Sequence, residues 1–237
     1  PKKKDGFLNL ISFFSFIGIS LGVSVLIIVM SVMNGFRSEL VNKIIGFNAH
    51  VIVKPYSGSI DKSKTYNKEL KNLSNKLIFT NSGEGILVYK DDMKGILLKG
   101  YTSEAFLKLD FIKDGHFIGA PAKLVDKGIS IGKTLSLNYD LKLGDKISIM
   151  SPSGVQTIIG NLPKQETYVI RSIYDSGLQS YDEHIAFVNI LALENLFDYD
   201  YEERNLEIYL KDPTNIDLAK LKLQNIFDNE IVYTWAD

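Results

Sequence analysis

Residues 11–33 read Ile11-Ser-Phe-Phe-Ser-Phe-Ile-Gly-Ile-Ser-Leu-Gly-Val-Ser-Val-Leu-Ile-Ile-Val-Met-Ser-Val-Met33, and they lie within a run from Gly6 to Phe36 that contains no charged residue and no histidine. A helix of about 20 apolar residues crosses the hydrocarbon core of a bilayer. The sequence therefore predicts a transmembrane helix over residues 11–35. A cleavable signal peptide is the alternative, but its apolar region has roughly 7–15 residues and ends at a small-residue cleavage site.

The charges beside this run predict its orientation. Lys2–Lys4 precede it, and positively charged residues favour the cytoplasmic side of a membrane. We therefore expect residues 1–10 to be a cytoplasmic segment and the chain after the helix to be periplasmic. Apolar residues continue at helical spacing beyond the span, so the helix should extend outside the bilayer to Gly46, a residue type that commonly ends helices.

The composition limits what the rest of the chain can be. The 237 residues include 27 Lys and Arg against 28 Asp and Glu, with 45% apolar residues and no cysteine. This balance lacks the clustered positive charge that nucleic-acid binding requires, and a chain without cysteine has no disulfide framework. The chain can bury a core, and we expect no nucleic-acid partner.

Beyond the helix, the pattern predicts an α+β domain. Residues 47–101 and 184–237 alternate predicted strands with predicted helices. Residues 102–183 are instead rich in Gly and turn residues and predict short strands. The middle segment therefore reads as an insertion into a single α+β subdomain.

Three local elements within this domain follow from the sequence. A Lys-rich amphipathic helix is expected over residues 60–76. A hairpin should join residues 86–89 to residues 96–98 across a turn. A polar loop is expected between Met150 and Tyr168, because this segment contains two prolines and two glycines.

Two motifs resemble ligand sites without meeting their requirements. The segment Gly128–Thr134 is one residue shorter than a phosphate-binding loop, so a strand followed by a short helix is expected. Asp182, Glu183 and His184, with Asp175, could form a metal or acid/base site, although a turn that enters a strand explains them more simply. No serine elbow and no close zinc ligands occur. The sequence predicts no catalytic residue, no metal and no cofactor.

The apolar helix carries two patterns of its own. Gly18 and Gly22 form a small-xxx-small pattern, which lets another helix approach closely. Four apolar residues near the outer end recur at helical spacing and form one stripe, which we call the apolar stripe. Its members are Val29, Val32, Met33 and Phe36. Exposure to lipid or packing against another helix would explain the same stripe.

Three stretches of the chain carry a family resemblance. The first is Ser15-Phe-Ile-Gly-Ile-Ser-Leu-Gly-Val running into Val29-Met-Ser-Val-Met-Asn-Gly-Phe36. The second runs from Ile131-Gly-Lys-Thr-Leu-Ser-Leu through Leu143-Gly-Asp-Lys-Ile to Ser151-Pro-Ser-Gly154, and the third from Tyr168-Val-Ile-Arg-Ser-Ile-Tyr-Asp-Ser-Gly177 to Ala186-Phe-Val. Together they resemble the LolC/LolE family of permeases.

The resemblance implies a permease subunit of an ABC transporter that releases lipoproteins from the bacterial inner membrane. Such a subunit has four membrane helices, and the chain would be a fragment with the first helix and the periplasmic domain that follows it. As in the related MacB type of subunit, residues 47–101 and 184–237 would form an α+β porter part. Residues 102–183 would form a mostly β sabre part.

The resemblance also implies site residues. The apolar stripe would line the pocket that receives the acyl chains of a lipoprotein. Residues 153–166 would form a hook-like loop that recruits a LolA-like periplasmic chaperone. The expected contacts of this loop are Val155, Ile158, Ile159, Gly160, Asn161, Leu162, Pro163 and Lys164. An extended loop favours a LolC-like subunit, or a hybrid LolF-like subunit that works as a homodimer, over a LolE-like one.

The partners implied are a LolD-like ATPase subunit, which would carry the ATP hydrolysis, and a second permease subunit, either LolE-like or a second copy of this chain. The lipoprotein substrate, membrane lipid and the chaperone complete the set. The expected location is the bacterial inner membrane, with the main domain in the periplasm. Two other functions stay open: a membrane-anchored sensor or scaffold without transport activity, and the permease of a MacB-type exporter.

Overall fold

The computed structural model describes residues 3–119, 124, 126–157, 160–235 and 237, and it divides into two compact units, Pro1–Ile44 and Ile45–Asp237. The first unit is formed by helix α1 (Lys3–Phe47), whose last three residues belong to the second unit. With 45 residues, α1 is about 67 Å long. From Phe7 onward it is long and apolar enough to cross a membrane. The predicted helix and its extension to Gly46 are therefore present, and the helix begins earlier than expected.

The described residues of the second unit form an α+β domain with strands and short helices, which confirms the predicted fold class. The strands are β1 (Val51–Pro55), β2 (Ser74–Tyr89), β3 (Asp92–Tyr101), β4 (His116–Gly119), β5 (Gly128–Gly132), β6 (Lys146–Thr157), β7 (Gly160–Asp175), β8 (Ile185–Asn189), β9 (Asn205–Leu210) and β10 (Glu230–Thr234). The helices are α2 (Lys68–Leu73), α3 (Ser103–Phe106), α4 (Asp110–Asp114), α5 (Lys133–Asn138), α6 (Gln179–His184), α7 (Ile190–Phe197) and α8 (Ile216–Ile226). Turns of 3₁₀ helix lie at Lys62–Tyr66 and Tyr201–Glu203.

Six of the strands close into a barrel. β2 pairs with β3, β3 with β8, β8 with β5, β5 with β7, β7 with β6, and β6 returns to β2. The β3–β8 and β5–β7 pairs are parallel, and the other four are antiparallel. Closure gives each of these strands a neighbour on both sides, so the barrel has no open edge along its paired length.

Helix α7 covers one side of the barrel core, and it can do so because two glycines let it approach. A Cβ atom on Gly83 would lie 2.7 Å from the Phe197 ring, and one on Gly100 would lie 3.1 Å from the Leu193 Cβ. The buried apolar residues of this core include Leu87, Leu98, Ile129, Ile147, Ile170, Val188, Leu193 and Leu196. The close approach fixes α7 on strands β2 and β3.

The first half of β2 belongs to a second, antiparallel sheet with the order β10-β1-β9-β2. Helices α2 and α8 pack on one face of this sheet through apolar residues such as Leu70, Leu223 and Phe227. An aromatic cluster, which contains Tyr101 and Phe187, forms a third core region with Phe47 at the end of α1. Strand β2 therefore connects the sheet to the barrel.

The domain boundaries expected at residues 102 and 183 do not coincide with a break in this sheet. The barrel takes β2 and β3 from before the first boundary, β5 to β7 from between the two, and β8 from after the second. Strand β2 pairs with β6 across the first boundary, and β5 pairs with β8 across the second. The division into a porter part and a sabre part stays a prediction.

The single helix expected over residues 60–76 is present only in part. The chain forms a 3₁₀ turn at Lys62–Tyr66, and then α2 begins because the Asn67 side chain accepts a hydrogen bond from the Glu69 amide at 2.8 Å. From Ser74 the chain pairs with β9, so strand pairing replaces helix formation. The hairpin expected over residues 86–98 is confirmed, with longer strands than predicted.

Candidate functional site

The apolar stripe lies on the outer part of α1, where its four side chains are exposed. Met33, for example, has 60% of its surface exposed, and Val29, Val32 and Phe36 are exposed to a similar degree. Apart from the neighbouring backbone of α1 itself, no described atom lies within 4 Å of a Cβ built on Gly18 or Gly22. The part of the chain that the structure describes therefore leaves both the apolar stripe and the glycine face uncovered. Their roles in lipoprotein binding and helix packing stay predictions.

The segment expected to be a polar loop is a long β-hairpin formed by β6 and β7, and the expectation of a loop was wrong. Pairing continues from Lys146 opposite Val169 to Thr157 opposite Gly160. The prolines did not prevent this, because the register shifts between Ser151 and Val155 and the ladder is interrupted there. Proline, which lacks an N–H donor, is tolerated at such a bulge.

We call the paired residues beyond this bulge, 155–157 and 160–162, the arm. The arm contains four of the eight residues that were expected to contact a chaperone. Its backbone pairs Val155 with Leu162 and Thr157 with Gly160. Ile158 and Ile159 lie outside the described residues. Leu162 is 53% exposed and Pro163, next to the bulge, is also exposed. The structure thus presents Leu162 and Pro163 at the surface.

Lys164 was expected to contact a chaperone, and the structure gives it a partner within the chain. Its ammonium donates hydrogen bonds to the backbone carbonyl of Asn195 and, at 3.0 Å, to the Asn195 side-chain oxygen. Asn195 lies near the end of α7, 31 residues further along the chain. The sequence contained no signal for this contact, because the residues around a lysine do not show whether its ammonium is solvated or hydrogen-bonded to a distant residue.

Each member of the acidic cluster around residues 175–184 contacts a different partner. Asp175 accepts from the Lys133 ammonium at 2.8 Å, which lowers the pKa of that carboxyl. The Asp182 carboxylate accepts from the Ser176 hydroxyl at 2.6 Å and is buried, and burial raises its pKa. The remaining two members have their own partners: Glu183 pairs with Lys94, and His184 Nδ1 lies 3.0 Å from the Ser180 carbonyl.

This arrangement does not favour a metal site. Across residues 3–119, 124, 126–157, 160–235 and 237, no group of three or more His, Cys, Asp or Glu side chains could hold a metal ion. The acidic residues after α7 form a helix end, where Asp198 adopts a left-handed conformation and Asp200 caps the 3₁₀ turn. The four members of the 175–184 cluster instead contact separate partners on both sides of the turn that leads into β8.

The segment that resembles a phosphate-binding loop has a packing role. It forms strand β5 followed by α5, as the sequence predicted. Gly132 is required there because a Cβ atom would lie 2.2 Å from the Asp182 carbonyl oxygen. The glycine therefore allows α6 to pack against β5, and Lys133 pairs with Asp175.

Among the described residues, the most deeply buried carboxylate is that of Glu207, which lies away from these candidate sites. The Glu207 carboxylate accepts from the Tyr101 hydroxyl at 2.8 Å and the Tyr209 hydroxyl at 3.1 Å, and Lys99 lies 3.4 Å from it. Burial, reinforced by the charge of Glu207, raises the pKa of Tyr101 well above its ordinary value. This network satisfies buried polar groups that β3 and β9 contribute from either side of β2.

Comparisons with known proteins agree with this architecture. A family model described as MacB-like periplasmic core domain matches residues 12–226. The lipoprotein-releasing system transmembrane protein LolC of Neisseria meningitidis is 27% identical over 228 residues, which cover 90% of this chain and 52% of that protein. The corresponding LolE protein of Haemophilus influenzae is 27% identical over 237 residues, which cover 93% of this chain and 55% of that protein.

Among solved structures, the periplasmic region of MacB from Actinobacillus actinomycetemcomitans superposes with a TM-score of 0.48 at 9% identity, covering 81% of this chain and 91% of that one. The chain spans about half the length of the curated relatives it matches. These relatives confirm the resemblance to LolC and LolE seen in the sequence. Since the family model covers most of the residues, the chain belongs to the family of MacB-like periplasmic core domains.

Proposed function

We propose that this chain is part of a permease subunit of an ABC transporter that extracts lipoproteins from the outer leaflet of the bacterial inner membrane. The observation that carries the proposal is that relatives named as lipoprotein-releasing system transmembrane proteins align over 90% and 93% of the chain. In this proposal α1 spans the inner membrane and residues 45–237 lie in the periplasm. A LolD-like ATPase and a second permease subunit complete the transporter.

Extraction of a lipoprotein from a bilayer requires an apolar surface such as the apolar stripe. Each buried CH₂ group of a lipid chain contributes about 0.8 kcal/mol to membrane attachment, so several acyl chains hold a lipoprotein in the bilayer. Extraction then requires energy from ATP hydrolysis, which the separate ATPase subunit supplies, and an apolar surface that the acyl chains can contact as they leave. The apolar stripe offers four adjacent exposed apolar side chains for this contact.

The β6–β7 hairpin serves in this proposal as the docking site for a LolA-like chaperone that carries the lipoprotein away. Leu162 and Pro163 are exposed at the base of the arm. Proline restricts the backbone before binding, which reduces the entropy that is lost on docking. An exposed leucine beside such a fixed backbone is a suitable contact for an apolar surface on a partner.

A MacB-type exporter permease is the second candidate, and the description of the matching family model favours it. The two candidates differ in their cargo. Crosslinking at the apolar stripe separates them, because only a lipoprotein transporter should yield an adduct with a triacylated protein.

The apolar stripe is tested by a photo-crosslinking amino acid at Met33 in the complete transporter. We expect an adduct with a lipoprotein that increases when ATP hydrolysis is blocked. Asn34 is the matched control, because it lies at nearly the same depth and about 100° around the helix. Met33→Asp should stop lipoprotein release, since a carboxylate in an apolar site costs a few kcal/mol, whereas Asn34→Asp should not. Release at the wild-type rate by Met33→Asp would contradict the pocket assignment.

The docking site is tested with the double variant Leu162→Ser and Pro163→Gly. We expect binding of the purified chaperone to the chain in nanodiscs to weaken about tenfold, or about 1.4 kcal/mol, with little change in melting temperature. Leu137→Ser on α5 is the matched control, because Leu137 is 72% exposed and lies outside the hairpin. Equal binding by the double variant and the control would show that the chaperone docks elsewhere.

A further inference from the structure

The arm leaves the domain at a defined point in the β6–β7 hairpin. Ser151 pairs with Lys164, and the next pair is Val155 with Leu162, so the intervening residues on β6 exceed the single Pro163 on β7. A bulge of this kind bends the strands and interrupts their ladder. Lys164 is therefore the paired residue of β7 that lies next to the bulge on the side of the domain. The direction of the arm depends on how Lys164 is held.

Lys164 is held by the end of α7. Its ammonium donates to both the backbone carbonyl and the side-chain oxygen of Asn195. We call this contact the clasp. Hydrogen bonds from charged donors are stronger than those between neutral groups. The clasp thus joins the root of the arm to a helix.

The end of α7 provides an acceptor without a helical partner. In a continuing helix the Tyr199 amide would bond the Asn195 carbonyl, but it bonds the Glu194 carbonyl at 3.0 Å instead, because Asp198 takes a left-handed conformation. A cation at this position also interacts favourably with the helix dipole. Since α7 contains no basic residue, Lys164 supplies the charge from another element.

Helix α7 is packed closely against the barrel, so its end is held in place. Leu193 is fully buried, and α7 lies close to Gly83 and Gly100 on the barrel. A second hydrogen bond also joins β7 to α7, because the Tyr168 hydroxyl donates to the Ala192 carbonyl at 3.4 Å. Strand β7 is therefore hydrogen-bonded to α7 at two residues, Tyr168 and Lys164.

We propose that Lys164 is a positioning residue that fixes the direction of the arm through the clasp, and that it does not itself contact the chaperone. This inference rests on the proposed docking of a chaperone to the hairpin. It replaces the expectation that Lys164 is one of the docking contacts. It also assigns Asn195, which no sequence pattern singled out, to the same task.

The clasp is tested by measuring the distance between two spin labels on the full chain in nanodiscs. The chain contains no cysteine, so Thr157→Cys on the arm and Lys222→Cys on α8 provide unique label positions. We expect a narrow distance distribution in the parent protein, a clearly broader one in Lys164→Met, and recovery in Lys164→Arg. Asn195→Ala, which keeps the backbone carbonyl, should give intermediate broadening. Lys127→Met is the matched control, because it removes an ion pair to Glu166 on the same strand.

Chaperone binding is measured on the same variants without labels. We expect Lys164→Met to weaken binding threefold to tenfold and Lys164→Arg to bind as the parent does, with equal melting temperatures. An unchanged distance distribution in Lys164→Met overturns the clasp, and if binding is nevertheless lost, Lys164 contacts the chaperone directly. If the parent chain does not bind the chaperone while the distances respond as expected, the proposed docking fails and the clasp stands.

Discussion

Helix α1 and the domain of residues 45–237 use the same apolar residue types in opposite ways. Phe16 on α1 is 70% exposed, and every described side chain from Phe7 to Glu39 is exposed, whereas Phe187 in the domain is 1% exposed. A soluble domain buries such residues within itself. The domain therefore contains its own stabilising core, and the stability of α1 has to come from lipid or from other helices.

The two regions also treat charge differently. The domain buries Glu207 and Lys99, and it surrounds the carboxylate with two tyrosine hydroxyls. The apolar run of α1 has no charged residue at all. A closed protein core can satisfy a buried charge with neighbouring donors, but a single helix in hydrocarbon has none to offer. The comparison can be tested by changes that act on one region and spare the other.

The largest expected effect concerns the side of the membrane on which the two regions lie. Cysteines introduced at Ser57 and Ser153 should react fully with an impermeant maleimide in intact spheroplasts, because the domain is periplasmic in the proposed topology. A cysteine at Lys4 should react only after lysis. Protection of both domain positions before lysis would contradict the topology.

The second prediction compares phenylalanines in the two regions. Phe187→Ala should lower the free energy of unfolding of the domain by about 3–5 kcal/mol, because it leaves a cavity inside the aromatic cluster. The rings within about 6 Å of it are Tyr174, Phe111, Phe106, Phe47 and Tyr101.

Urea unfolding of the full chain in detergent, followed by near-ultraviolet circular dichroism, measures this loss. Phe16→Ala is the control and should leave the transition midpoint of the domain unchanged. Equal shifts in the two variants would show that the domain depends on α1 for its stability.

The third prediction compares an ion pair from each region. Arg204 contacts Glu194 through two hydrogen bonds, at 2.6 Å and 2.8 Å, and the Glu194 side chain is almost fully buried. Arg204→Met leaves this carboxylate unpaired and should cost about 2 kcal/mol or more in the same unfolding measurement.

Lys43 and Glu39 form the matching pair on α1, at 3.8 Å and with both side chains exposed. Lys43→Met should cost no more than about 0.5 kcal/mol. A loss of the same size from both substitutions would mean that burial does not separate the two pairs.

The smallest effect is a pH dependence at His50, close to the end of α1. The Leu210 amide donates to His50 Nδ1 at 2.8 Å, and burial lowers the pKa of this imidazole below its ordinary 6.5. The folded state then binds fewer protons than the unfolded state between the lowered pKa and 6.5. Stability from this group is therefore present above pH 6.5 and is lost as the pH falls towards the folded pKa.

His50→Asn keeps an acceptor near the Nδ1 position and removes the titration. The free energy of unfolding of the parent should fall by more than that of His50→Asn between pH 7.5 and pH 5.5. Parallel pH profiles for the two proteins would show that His50 does not titrate in this range.

Local elements with strong patterns could be predicted from the sequence. The uncharged run predicted α1, the motif at residues 128–134 predicted β5 followed by α5, and two short apolar segments across a turn predicted the β2–β3 hairpin. The continuous helix over residues 60–76 was not found, because the segment divides into a 3₁₀ turn and α2, and β9 pairs with the chain from Ser74 onward. The polar loop failed because a bulge accommodated the prolines within a hairpin.

The candidate site divides in the same way. The positions of the apolar stripe follow from helical spacing alone, because neighbours on a helix face are fixed by 3.6 residues per turn. The clasp between Lys164 and Asn195 joins residues from different elements. No local pattern fixes such a contact, and the family resemblance instead predicted that Lys164 contacts a chaperone, which stays a prediction.

The sequence by itself determined that the chain has one long apolar helix followed by an α+β domain, because hydrophobic content and period are local properties of the chain. Only the tertiary structure decided that six strands close into a barrel across both expected domain boundaries. The tertiary structure also decided that the Lys164 ammonium donates a hydrogen bond to Asn195 near the end of α7. The physical reason is that strand pairing and helix capping between distant segments depend on which groups the packing of the core brings within hydrogen-bonding distance.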